Sequence, residues 1–157
     1  MATRLHRAAQ VGNGIVMDED ALADKVARAM MAAEGTGPAW GLALEEAREN
    51  YARVSMVVRA DMLNGHGIAH GGMIFALADS AFAYVCNGSN HASVAAQASI
   101  VFLGKAQAGE TLVAEGWQVA REGRAGVTRV SVKTAEGRDV AEFTGYSRTL
   151  GGTVVEV

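Results

Sequence analysis

From Asp18 onward the hydrophobic positions fall into runs of two distinct periods. Asp18, Glu19 and Asp20 place acids where a helix start favours them. Leu22, Val26, Met30 and Ala33 follow at near-helical spacing, with Asp24, Lys25 and Arg28 elsewhere on the circumference. The spacing predicts an amphipathic helix of about four turns, a packing helix or a lid over a cleft, ended by Gly35-Thr36-Gly37-Pro38. Trp40–Arg48 reads as a first strand. Tyr51–Arg59 alternates, with Ala52, Val54, Met56 and Val58 to one side and Arg53, Ser55 and Arg59 to the other, the period of a strand with one buried face. Asp61–Gly67 is expected to be a loop. Gly71–Asn87 is apolar on nearly every side of a helix and must be covered on nearly every side.

Four strands complete the pattern. Ser93–Leu103 sets Val94, Ala96, Ala98, Ile100 and Phe102 on one face, and Thr111–Arg121 sets Val113, Trp117 and Val119 on one side. Val127–Thr134 turns Val130 and Val132 inward and Arg129, Ser131 and Lys133 outward; Val140–Thr149 is the last strand. Short links such as Glu122–Gly126 and Glu136-Gly137 predict a mostly antiparallel sheet. The economical arrangement is an α+β fold, the sheet curved around the Gly71–Asn87 helix. Ala76, Ala78, Ala81 and Ala83 are expected to let the strands approach closely. Residues 1–17 show no periodicity and are expected to be partly mobile.

Composition narrows the function classes. A chain of 157 residues, 50% hydrophobic with one proline, suits one globular domain with a substantial core. The net charge of −3 offers no basic field to nucleic acid. The single cysteine, Cys86, cannot pair within the chain, which fits a reducing, cytoplasmic setting. No apolar block follows Arg4 and Arg7 to make a signal peptide. Met73–Cys86 is shorter than the ~20 residues that span a bilayer and is interrupted by Asp79 and Ser80, so no membrane partner is expected.

Candidate chemistry gathers between His66 and Gly88. Asp79 stands alone among Leu77, Ala78, Ala81 and Phe82, and a buried carboxylate is costly unless it is paired or has a raised pKa. It caps another element, pairs with an arginine at a subunit contact, or serves as a general base or nucleophile. His70-Gly71-Gly72 opens the helix with amides unobstructed by side chains, a place for an oxyanion or simply a tight turn. Asn64 is a turn residue or positions a substrate or a water. His66 and His70 stand four apart, but with no supporting Cys/His cluster no metal site is expected. Cys86 reads as a small core residue, and Gly151-Gly152-Thr153 lacks the spacing and lysine of a P-loop.

These residues resemble the hot-dog thioesterases, specifically the phenylacetate-degradation (PaaI-type) subfamily. The likeness runs through Leu63-Asn64-Gly65-His66, His70-Gly71-Gly72, Leu77–Tyr84, Ile100–Leu103, Ala108–Leu112 and Gly151-Gly152-Thr153. It covers about residues 40–153, so the chain divides into an N-terminal extension, 1–38, and a hot-dog domain, 39–157. The resemblance implies hydrolysis of acyl-CoA thioesters, with aryl-acetyl-CoA favoured and no cofactor beyond the CoA of the substrate. It implies two protomers forming one continuous sheet, the active site between them, commonly in a dimer of dimers. Asp79 then matches the catalytic carboxylate and Gly71 the amide that polarises the thioester carbonyl. His70 and Asn64 match orienting residues; Ser80 lies near the leaving sulfur, and Gly72, at the same helix start, joins Ser80 in binding substrate. Gly104-Lys105 replaces the Arg-Pro pair frequent in the subfamily, leaving Lys105 as a point charge for the CoA phosphates. Arg121, Arg124 and Arg129 read as ordinary solvated charges or as further candidates for those phosphates, and Met73, Phe82 and Trp117 as core residues or as pocket wall. Two other readings of the scaffold are a non-enzymatic acyl-CoA-binding protein and an enoyl-CoA hydratase or dehydratase. The latter lacks an Asp-x-Asn-x-x-His run here.

Overall fold

The computed structural model describes residues 17–157; the expectation of a mobile start concerns residues that lie almost wholly outside that range. Helix α1 (Glu19–Ala33) begins at Asp18, whose carboxylate accepts from the Asp20 amide, with Glu19 and Asp20 in the first turn. It buries Ala23, Val26 and Ala27 against strand β1 and the long helix. Gly35–Pro38 does end α1, but the chain then makes a second short helix, α2 (Thr36–Trp40), rather than entering a strand at Trp40. Gly41 closes α2 at φ 67°, a left-handed conformation that glycine adopts without strain. Strands β1 (Ala43–Arg48) and β2 (Tyr51–Val57) follow. A turn of 3-10 helix at Ala60–Met62 interrupts what reads from sequence as plain loop.

Helix α3 runs Gly71–Asn87, the span its apolar pattern predicts. Strands β3 (Ser93–Phe102), β4 (Thr111–Glu122), β5 (Ala125–Thr134) and β6 (Asp139–Thr149) complete one sheet of six strands, ordered β1-β2-β4-β5-β6-β3 with every neighbour antiparallel. The sheet wraps α3. Ile74, Leu77, Ala78, Ala81, Phe82 and Val85 bury against Val54, Met56, Leu112, Ala114, Val130, Val132 and Phe143. Each such fully buried large side chain contributes about 1.5–3 kcal/mol. Gly116 and Gly145 let the sheet close on the helix: a Cβ at Gly145 would lie 2.5 Å from the Phe82 ring.

Three expectations about faces need correction. Only Ala78 and Ala81 of the four alanines meet the sheet; Ala76 and Ala83 sit half-exposed on the uncovered side of α3 with Gly72, Asp79 and Ser80. In β3 a bulge between Ala95 and Gln97 shifts the register, so Val94 and Ala96 do not continue the face of Ala98, Ile100 and Phe102. Trp117 lies on the open face of the sheet, away from α3, because its neighbours Ala114 and Gly116 are the buried ones. Strand β3 is also an edge, bonded only to β6, and it carries no charged residue. Among the described residues no helix is long and apolar enough to cross a membrane.

Candidate active site

The start of α3 is assembled by the loop before it. The Asn64 side-chain oxygen accepts from the amides of His66 (2.8 Å) and Ile68 (3.4 Å), while the Asn64 amide donates to the Ile68 carbonyl (2.8 Å). Gly67 takes φ 71° to close this turn. Backbone bonds from Ala69 to the Ala106 carbonyl (2.7 Å) and from His70 to the Met62 carbonyl (2.8 Å) fix the entry to the helix. Because backbone amides can only donate, the Asn64 atom they meet is its oxygen, and the amide NH2 group has no partner among the described residues.

A helix start leaves its first amides without intrahelical partners. Here Gly72 donates to His70 Nδ1 (2.9 Å), and Met73 and Ile74 donate to the His70 carbonyl (2.9 and 3.3 Å). The Gly71 amide is left without a partner among the described residues. It borders a cavity of about 200 Å³ lined by Asn64, Ile68, Gly71, Ile74, Phe102 and Lys105, among others. The two glycines answer different steric demands. A Cβ on Gly71 would fall 2.9 Å from the tip of the Phe102 ring, and one on Gly72 would fall 3.1 Å from His70 Nδ1.

Two turns along α3, Asp79 is half-buried and has neither an ion pair nor a hydrogen-bond partner among the described residues. Burial holds its carboxyl above the ordinary aspartate range. Ser80 turns its hydroxyl back onto the Ala76 carbonyl (3.0 Å). Cys86 is buried; desolvation, then the Asp79 charge, pushes its thiol up to about 12, which disfavours a thiolate nucleophile. Among the described residues no group of three or more His, Cys, Asp or Glu is placed to hold a metal ion.

Thus Asn64, Gly71 and Lys105 share one cavity wall, and His70 and Gly72 stand beside it through the helix cap. Asp79 does not join them. It lies eight residues beyond Gly71, about 12 Å along a helix rising 1.5 Å per residue. Of the other candidates, Arg121 is engaged with Ser89 and Thr149, and Arg124 with the Thr149 and Leu150 carbonyls. Phe82 is core, and Met73 packs half-buried against it. Sequence reasoning did not assign Ile68, Ile74, Phe102 or Ala106 to the cavity. The signal for Phe102 was its place at the end of an apolar strand, just before Gly104-Lys105.

Comparison with known proteins places this geometry. The model of the thioesterase superfamily matches residues 66–141. Acyl-coenzyme A thioesterase PaaI of Escherichia coli K12 is 41% identical over 129 residues, 82% of this chain and 91% of that protein. The structure of the E. coli PaaI protein from the phenylacetic acid degradation operon superposes with a TM-score of 0.85 at 38% identity, covering 87% of this chain and 99% of that one. A hypothetical thioesterase protein of Streptococcus pneumoniae, solved with coenzyme A, gives a TM-score of 0.69 at 28% identity over 71% of this chain and 88% of its own. The chain belongs to the thioesterase superfamily and has its hot-dog fold. It is a thioester hydrolase.

Proposed function

We propose that the enzyme hydrolyses acyl-CoA thioesters, with an aryl-acetyl group of the phenylacetyl or hydroxyphenylacetyl type as its acyl half, at sites shared between two copies of the chain. One observation carries the reading: Gly71, whose amide has no partner among the described residues, lines a cavity, while a half-buried carboxylate, Asp79, without a partner among the described residues, stands on the same helix. The names of the relatives supply the substrate class. The E. coli protein is an acyl-CoA thioesterase from a phenylacetic acid degradation operon, and the streptococcal one was solved with coenzyme A.

In this reading the thioester oxygen accepts from the Gly71 amide, at the positive end of the α3 dipole. A separation of about 12 Å along one helix is too great for Asp79 to reach that carbonyl, since reacting atoms must come within about 3–3.5 Å. A second copy with its α3 antiparallel to the first brings its own Asp79 to the site. The uncharged free edge of β3 supports such a partner, because exposed edges are normally guarded by charge or proline. The exposed Trp117, Val119 and Tyr146 on the open face of the sheet offer a surface for pairing two dimers into a tetramer.

Asp79 takes a proton from water as the water oxygen attacks the carbonyl carbon, or its carboxylate attacks directly. The carbon–sulfur bond then breaks, and the thiolate leaves and is protonated by solvent. Direct attack forms a mixed anhydride that water then hydrolyses, releasing the free acid and restoring the carboxylate. Asn64 offers its free NH2 to substrate or water and Lys105 its charge to the CoA phosphates; Ser80 arrives with the second copy's Asp79 and would turn its hydroxyl from the Ala76 carbonyl to the sulfur. Gly72, its own amide held by His70, leaves the helix start open to the substrate without a side chain in the way. A thioester panel read with a thiol-detecting reagent tests this. Asp79→Asn is expected to lower kcat about 10²-fold or more. Wild-type release no faster than that of Asp79→Asn on every thioester would refute it.

A further inference from the structure

We propose that His70 is a positioning residue that sorts the amides at the start of α3, and that its imidazole does not touch the substrate. The inference rests on the thioesterase reading of this site, but its geometry stands apart. His70 occupies the N-cap with φ −62° and ψ 134°, a place usually held by Ser, Thr, Asp or Asn. Its Nδ1 accepts from the Gly72 amide at 2.9 Å, and its carbonyl accepts from both Met73 and Ile74. One residue thereby takes three of the first four amides and leaves only that of Gly71.

The ring has room for this because Gly72 has no side chain. A Cβ there would lie 3.1 Å from Nδ1 and 3.4 Å from Cε1. A backbone amide must donate, so Nδ1 is an acceptor and the ring proton of the neutral imidazole sits on Nε2. His70 is exposed and is absent from the cavity wall to which its neighbours Ala69 and Gly71 both belong. Without the cap, the Gly72 amide becomes a second free donor next to Gly71. The thioester oxygen then has two competing seats, only one aligned with the attacking oxygen. Such a defect lowers kcat more than it raises KM.

The test compares side chains that can and cannot cap. His70→Asn and His70→Ser supply an oxygen to the Gly72 amide and are expected to keep kcat within about threefold of wild type. His70→Ala and His70→Gln, poor caps, are expected to lose about tenfold or more in kcat with KM little changed. Asn and Ser variants as slow as Ala would overturn the proposal, since the imidazole itself would then be needed. An Ala variant as fast as wild type would overturn it as well. Long-range proton–nitrogen NMR correlations on the wild-type protein read the tautomer directly. A proton on Nε2 is expected, and one on Nδ1 overturns the cap whatever the turnover. Failure of the thioesterase reading would instead appear as wild-type protein that releases no thiol.

Discussion

If each site combines Gly71 of one protomer with Asp79 of its partner, two inactive variants should rescue one another. The first is Asp79→Asn. The second is Gly71→Pro, which deletes the amide hydrogen yet suits the first position of a helix. His70 already has the extended conformation required before a proline. The Cβ of the new ring would lie 2.9 Å from the tip of the Phe102 ring, so Phe102, 51% exposed, must give way for the variant to fold. Loss of a base costs about 10²–10⁴ in kcat and loss of one oxyanion donor about 10²–10³, so each homodimer should retain about 1% of wild-type turnover or less. Unfolding the two together at equal concentration and refolding them yields half heterodimers. Each heterodimer holds one intact site and one doubly defective site, so the mixture should recover about a quarter of wild-type turnover under two-fold symmetry. The assay is thiol release per protomer, with circular dichroism to confirm that both parents fold. If one chain housed its own Gly71–Asp79 pair, no heterodimer would contain an intact site. A refolded mixture no more active than the average of its parents would therefore refute the shared site.

The raised pKa of Asp79 has consequences of opposite sign for rate and stability. The base must be ionised, so kcat should climb with pH along a limb lying above that of an exposed aspartate. The folded chain holds this proton more tightly than the unfolded one; the penalty is full above the folded pKa and gone below the unfolded value. Asp79→Asn should accordingly raise Tm at neutral pH by about 1–3 °C, as calorimetry can show, while lowering kcat about 10²-fold or more. Lys105→Ala should raise KM for a CoA thioester about three- to tenfold at low salt and leave KM for the same acyl group on pantetheine unchanged. Asn64→Asp keeps an oxygen for the His66 and Ile68 amides but loses its NH2 group; kcat should fall about tenfold with Tm nearly constant. Unchanged kcat would make Asn64 a clamp of the loop and nothing more.

The elements were legible where one period dominates. Gly71–Asn87 reads as a helix because its apolar run is too long for a strand, and Val130 and Val132 read as inward because charged or polar neighbours alternate with them. Strand β3 was harder. Its alternation of small and apolar residues carries no mark of the bulge at Ala96, since a bulge depends on how β6 pairs with it. Trp117 misled as a core residue because size and hydrophobicity do not tell which face of a sheet holds the helix. At the site, Gly71, Asn64 and Lys105 meet around one cavity. The division of labour among the amides was not readable. It depends on the rotamer of His70 and on a Phe102 ring arriving from thirty-one positions downstream of Gly71.

The far end of α3 is secured differently. Asn90, buried with φ 62°, donates to the Val155 carbonyl and accepts from the Val154 and Val155 amides, at 2.9, 3.0 and 2.9 Å. Lys25 of α1 reaches the Glu156 carbonyl at 2.8 Å. The final residues thus act as a buckle joining the exit of the site-bearing helix to the helix that covers it. Trimming the chain before Val154 strands a buried amide and loosens that corner.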